Sequence, residues 1–174
     1  MRQFVLVLSC LTLSTLSTFA KNQEEVKDII KTMAIELESI YSDSKRVKVA
    51  ILQFRTNQNS LTRFNHFIQD ELISVYSKSN KFEVIEQNSV DIVTESVSWN
   101  LEKSQSYSTF TELSEQIFQN TGTIPDIYIY GLIDDNTDLI TITIHSTPNG
   151  LSKSTHTVHK TIVSSEFTDL LLGK

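Results

Sequence analysis

Cysteine, glycine and proline are scarce in this 174-residue sequence, which contains one Cys, four Gly and two Pro. Cys10, the single cysteine, lies close to the N-terminus, so intrachain disulfides and thiol chemistry are excluded from the rest of the chain. The four glycines are scattered singly, and neither a phosphate-binding loop nor a Gly-x-Ser-x-Gly turn occurs. Nucleotide binding by a glycine-rich loop and serine-hydrolase chemistry are therefore not expected, and no cofactor is predicted.

Basic residues are also in deficit, with 15 Lys and Arg against 21 Asp and Glu and a net charge of −6. A diffuse negative balance argues against nucleic acid as a partner and against anionic lipid as the main one. Low glycine and proline content disfavours a disordered chain. The length suits one folded domain with a real core better than two.

Residues 1–20 have the composition of a signal peptide. Arg2 is followed by an apolar stretch that contains Ser and Thr, and the polar mature sequence starts at Lys21. The stretch is short for a membrane span, which needs about 20 mainly apolar residues. Thr18 and Ala20 are small residues at the two positions that a signal peptidase reads. We therefore predict cleavage after Ala20, an exported mature domain of residues 21–174, and a location in the periplasm or at the outer membrane.

A lipoprotein is the alternative, because residues 8–10 resemble the motif that ends in a lipid-modified cysteine. Cleavage before Cys10 would leave nine signal residues, fewer than a charged region and an apolar core usually occupy. We therefore prefer the cut after Ala20. Loss of Arg2 with the leader would change the net charge from −6 to −7.

Hydrophobic periodicity predicts alternating helices and strands. Helices are predicted at 24–41, at 61–76 after a Ser60 cap, from Asn88 or Ser89 to 101, and at 109–121 from a Thr109–Glu112 capping box, with a helical turn at 167–172. Strands are predicted at 46–54, 82–86 and 127–133, and an alternating strand from 140 returns at 154–164. The predicted fold is α/β, a three-layer mixed sheet with a βαβ crossover, a C-terminal antiparallel hairpin and helices packed on the sheet.

The titratable residues do not form a convincing catalytic or metal site. His156 and His159 are three apart, which sends them to opposite faces of a straight strand, so we predict solvent-facing or edge histidines and no metal. Carboxylates are densest at Glu83, Glu86, Asp91 and Glu95, and a pair of them could perform acid–base hydrolysis. We favour solvated charges instead. No catalytic residue is assigned.

Three aromatic residues, Trp99, Tyr107 and Phe110, flank the polar stretch 102–108. Aromatic side chains are enriched at the centres of protein interfaces, so these residues are candidates for an exposed partner-binding patch. They are equally good candidates for the core. Both interpretations stay open at this point.

Four segments in order carry a resemblance to a known superfamily: residues 47–54 (VKVAILQF), 69–73 (QDELI), 81–86 (KFEVIE) and 125–131 (PDIYIYG). Together they resemble a bacterial envelope superfamily that includes the FlgO and CsgG families, the LpoB-like activators of penicillin-binding proteins and the N-terminal domain of TolB. The similarity covers about residues 28–162. Gln87 and Pro125 depart from the family pattern, and no segments that could form the membrane hairpins of a secretion pore occur.

The resemblance implies a non-enzymatic envelope accessory protein, with other envelope proteins as partners. It is most similar to the FlgO type, which implies a role in flagellar or other cell-surface assembly. The alternative is a CsgG-like or LpoB-like role, as a component of secretion or an activator of cell-wall synthesis enzymes. A third class, a hydrolase that uses Glu86 and Asp91 or a site at His156, lacks convergent polar groups.

Overall fold

The computed structural model describes residues 2–41, 45–100, 102, 107–136, 138–150 and 154–174, with backbone alone for 2–17 and 107. Its helices are α1 (Arg2–Ile40), α2 (Arg63–Tyr76), α3 (Gln87–Ser96), α4 (Tyr107–Thr121) and α5 (Glu166–Leu172). Its strands are β1 (Val47–Ile51), β2 (Arg55–Thr56), β3 (Phe82–Val84), β4 (Ile127–Asn136), β5 (Leu139–Pro148) and β6 (His156–Val163).

All the described strands belong to one mixed sheet in the order β3-β1-β4-β5-β6, with the short β2 beside β4. The strand β1 is parallel to β3 and β4, as a β1-α2-β3 crossover requires. The strands β4, β5 and β6 are antiparallel neighbours. The predicted α/β class, crossover and C-terminal hairpin are therefore confirmed.

Helices cover the two faces of the sheet unequally. On the first face, α1, α2 and α5 pack over the sheet from β3 to β6, around buried residues such as Met33, Leu72 and Phe167. On the second face, α3 and α4 pack over β1 and β4 alone, through Ala50, Tyr128 and their neighbours. The strand β1 is buried on both sides, which explains its nearly continuous apolar sequence.

The helix predicted at 24–41 is present, but α1 begins at Arg2 and runs continuously to Ile40. Phe19 of this helix contacts the rest of the fold, because its ring lies edge-on to Phe167 with the centroids 5.3 Å apart. Its buried stripe contains Val26, Ile30 and Leu37. The amphipathic spacing read from the sequence is therefore the face that docks on the sheet.

Three predicted helix starts differ from the structure. The helix α3 begins at Gln87, before the predicted Asn88 or Ser89, and it ends at Ser96 instead of residue 101.

The starts of α2 and α4 were predicted from caps that the structure does not use. The N-cap of α2 is Thr62, whose backbone N–H donates to Asn65 Oδ1 at 2.6 Å, while the Ser60 hydroxyl bonds instead to Thr56. The helix α4 begins at Tyr107, so Thr109 lies inside it and does not cap it. A capping-box pattern is a local signal, and here the start of the helix lies two residues earlier in the chain.

Gly131 allows β4 to lie close to Phe54, in the segment that follows β1, and to β5. A Cβ atom at this position would overlap the Phe54 ring and the carbonyl oxygen of Thr143 on β5. Phe54 is fully buried, so its ring has no free space into which to withdraw. Glycine is required here for space and not for a left-handed backbone.

Candidate functional site

Two of the three residues of the candidate aromatic patch, Trp99 and Phe110, are buried. Trp99 is 1% exposed and Phe110 6% exposed, and their rings pack together and against Tyr130 under α3 and α4. The indole Nε1–H of Trp99 donates to the Gln53 carbonyl oxygen at 3.3 Å. The side chain of Tyr107 lies outside the described residues. Trp99 and Phe110 are core residues in this structure, and partner binding through them stays a prediction that would require the core to open.

The acidic group is dispersed among separate partners. Glu83 forms an exposed ion pair with Arg46 at 3.6 Å, and Glu86 accepts a hydrogen bond from Ser89 at 2.5 Å. Asp91 accepts hydrogen bonds from the side-chain amides of Gln69 at 3.0 Å and Gln87 at 2.8 Å. Asp91 therefore links α2 to α3, which is a structural role for one member of the carboxylate group.

The histidines of β6 lie on opposite faces, as their spacing predicts. His156 pairs in register with the buried Ser146, whereas His159 pairs with Thr143 on the outer face. The ring of His156 lies edge-on to Tyr41, with centroids 6.1 Å apart. In the part of the chain that the structure describes, no group of three or more His, Cys, Asp or Glu could hold a metal ion.

The second face of β5 and β6 is left uncovered by α3 and α4. We call this surface the hairpin face; its residues are Leu139, Thr141, Thr143, His145 and Thr147 on β5 and Thr157, His159, Thr161 and Val163 on β6. It carries no Lys, Arg, Asp or Glu. Leu139 and Val163 are directly paired at one end and are 50% and 73% exposed. The alternation of isoleucine with threonine from Ile140 predicted this half-exposed strand.

Hydroxyl pairs across the strands order the hairpin face. Thr141 bonds to Thr161 at 3.0 Å, and the His145 Nδ1 atom bonds to the Thr157 hydroxyl at 2.9 Å. Burial lowers the pKa of His145, which favours the neutral imidazole. The surface is thus a preformed array of hydroxyl and imidazole groups on the sheet, without Lys, Arg, Asp or Glu.

A cleft of about 750 Å³ lies at the amino ends of the parallel strands β1 and β4. The helix α2 starts at the other end of these strands. We call this cleft the amino-end cleft. Lys45, Arg46 and Asp126 line it together with Tyr41 and His156, and Val47 and Ile127 contribute apolar side chains. Ligand pockets commonly have volumes of roughly 300–1,000 Å³. Sequence reasoning missed this cleft because it joins residues from five separate segments.

Within the described residues, no helix is both long and apolar enough to cross a membrane. The predicted signal peptide and its cleavage after Ala20 stay predictions.

No protein-family model matches the chain, and no curated protein sequence matches it. Its fold is similar to the LpoB C-terminal domain from Salmonella enterica, with a TM-score of 0.52 and 11% identity, over 76% of this chain and 94% of that one. The LpoB C-terminal domain from Escherichia coli has a TM-score of 0.49 and 13% identity, over 75% and 94% of the two chains. For the NMR structure of E. coli LpoB the values are 0.49 and 13%, over 78% and 66%. The similarity to the Salmonella enterica domain, at 11% identity, establishes a shared α/β fold and no more.

Proposed function

We propose that this chain is a non-enzymatic protein of the bacterial envelope that binds and activates a cell-wall synthesis enzyme, as an LpoB-like protein. The observation that best supports the proposal is the similarity of the fold to the Salmonella enterica LpoB C-terminal domain, which extends over 94% of that domain at a TM-score of 0.52. The signal-peptide composition of residues 1–20 agrees with an envelope location. The flagellar role rests on the sequence resemblance alone, so the activator role is the one to test first.

The hairpin face is the surface we assign to the partner enzyme. A protein with a net charge of −6 presents here a strip without Lys, Arg, Asp or Glu, which ends at the exposed pair Leu139 and Val163. Charged residues are depleted from the buried centres of protein interfaces, which fits this strip. An uncharged partner surface that donates and accepts hydrogen bonds would complement it.

The size of the hairpin face limits how it is used. Two paired strands of ten residues or fewer cover roughly 33 Å by 10 Å, at about 3.3 Å per residue and 4.8 Å per strand. A standard interface buries about 800 Å² on each partner. The hairpin face therefore supplies the centre of the contact, and the neighbouring β4 residues Leu132 and Asp134 supply part of the rim.

The proposal is tested by adding the purified chain to a purified bifunctional penicillin-binding protein from the same bacterium and measuring the rate of glycan polymerisation. We expect the chain to raise the rate and to show no turnover by itself. Thr143→Glu places a charge in the centre of the hairpin face and should abolish the increase. Ile35→Glu is the matched control, because Ile35 is 53% exposed on α1, which packs on the other face of the sheet.

A chain that neither binds the enzyme nor changes its rate would disprove the activator role. Full activation by the Thr143→Glu variant would leave the role intact but move the contact away from the hairpin face. Both variants should keep the unfolding temperature of the wild type within a few degrees, since the substituted side chains are not fully buried.

A further inference from the structure

The amino-end cleft combines side chains of opposite charge with apolar side chains. Lys45 and Arg46 precede β1, and Asp126 precedes β4, its parallel neighbour. Lys48 lies beside Asp126, and Arg46 comes two residues earlier, which is about 7 Å along an extended strand. The floor between them includes Val47 and Ile127.

The carboxylate side of the cleft is held in place by the backbone. The Asp126 Oδ2 atom accepts a hydrogen bond from the Lys48 N–H at 2.8 Å, and the Asp126 N–H donates to the Lys48 carbonyl at 2.8 Å. Asn149 anchors the same corner, because its N–H donates to the Asp126 carbonyl at 2.8 Å and its side-chain amide to the Pro125 carbonyl at 2.9 Å. Among the described residues Asp126 Oδ1 has no hydrogen-bond partner, so one carboxylate oxygen is fixed and the other is available.

The opposite side of the cleft is cationic and adaptable. Arg46 pairs with Glu83 at 3.6 Å, but the two side chains are 63% and 46% exposed, and such a pair holds the guanidinium weakly. Lys45 is exposed beside it. Tyr41 also lines the cleft; its hydroxyl is paired with Ser146 and its ring contacts His156.

We propose that the amino-end cleft binds a short free peptide with both termini unblocked, so that one molecule carries an ammonium and a carboxylate group. The ammonium pairs with Asp126, the carboxylate pairs with Lys45 and Arg46, and the aliphatic side chains lie on the apolar floor. Arginine matches the planar geometry of a carboxylate with two parallel hydrogen bonds. This site lies apart from the hairpin face, so it can be present or absent independently of the proposed activator role.

The experiment is an NMR titration of the ¹⁵N-labelled full chain with the dipeptide Ala-Ala, N-acetyl-Ala-Ala and Ala-Ala-amide. We expect Ala-Ala to shift the amide signals of Val47 and Ile127. Each blocked peptide lacks one charge and should bind about fivefold more weakly, because one exposed ion pair contributes a factor of about this size to the affinity. The readout is binding, so it requires neither the partner enzyme nor any turnover.

Two variants assign the charges to their residues. Asp126→Asn should bind Ala-Ala no more tightly than it binds N-acetyl-Ala-Ala. Arg46→Gln should lower the affinity for Ala-Ala nearly to the affinity for Ala-Ala-amide. The matched controls are Asp70→Asn and Arg63→Gln, which change exposed residues of α2 outside the cleft. If Asp126→Asn does not fold, because its carboxylate supports the Lys48 N–H, the three peptides on the wild type still decide the question.

Equal binding of all three peptides, or an absence of shifts at the cleft with Ala-Ala at its highest soluble concentration, would overturn the proposal. Tighter binding of N-acetyl-Ala-Ala than of Ala-Ala would also overturn it, since that result would describe a simple anion site. Failure of the cell-wall enzyme assay together with positive Ala-Ala binding would reject the activator role and keep this site.

Discussion

Substitution of Trp99 by Phe tests the placement of this residue in the core. The change removes one ring of the indole and its N–H group from a site that is 1% exposed. It also leaves the buried Gln53 carbonyl without the Nε1–H donor 3.3 Å away. An exposed interface residue would tolerate the same change with little loss of folding stability.

The expected loss follows from two contributions. An unpaired buried carbonyl costs about 1–3 kcal/mol, and the reduced packing against Phe110 and Tyr130 costs about 1 kcal/mol, because full truncation of a buried Trp to Ala costs about 3–5 kcal/mol. We expect Trp99→Phe to lower the free energy of unfolding by about 2–3 kcal/mol. That is a large part of the roughly 5–15 kcal/mol that stabilises a typical domain.

The assay is chemical unfolding followed by far-UV circular dichroism, which does not depend on the removed fluorophore. Phe118→Ala is the matched control, because Phe118 is an aromatic residue of α4 that is 50% exposed, and it should lose less than the Trp99 variant. In the wild type, the single Trp should resist quenching by acrylamide. A loss below about 0.5 kcal/mol, typical of surface substitutions, with a freely quenched Trp99 would refute the reasoning.

Three further outcomes are expected. Gly131→Ala should lower the free energy of unfolding by about 1–3 kcal/mol or more, since its Cβ would overlap the Phe54 ring; thermal unfolding measures this, and an unchanged midpoint would contradict the close approach. Thr62→Ala should cost about 1 kcal/mol through loss of the α2 cap, measured by the same method, and a neutral result would place the cap elsewhere. Burial raises the pKa of Tyr128 to about 12, whereas the unfolded value is about 10. The folded state therefore holds this proton more tightly, and its stabilising contribution, complete below about pH 10, is lost as the pH rises to about 12. Denaturant unfolding from pH 9 to 12 should show this loss in the wild type and a smaller loss in Tyr128→Phe, and identical pH profiles would contradict it.

Local patterns were sufficient to predict most of the architecture. The three-and-four spacing of Val26, Ile30 and Leu37 and the alternation from Ile140 mark buried faces, because helix and strand periodicities differ. Boundaries were less accurate. The strand β4 continues to Asn136, beyond the predicted end at residue 133, since pairing with β5 extends the strand past its apolar residues.

The sequence by itself determined that an α/β sheet would form, that no glycine-rich phosphate loop would be present, and that His156 and His159 would lie apart. Each of these depends on neighbours in the chain. Only the tertiary structure decided that Trp99 and Phe110 are core residues, since aromatic side chains suit a core and an interface equally. It also decided that α3 and α4 leave the hairpin face uncovered and that Arg46 and Asp126 share a cleft. These properties depend on which distant segments the fold brings together, and local hydrophobic periodicity does not specify those contacts.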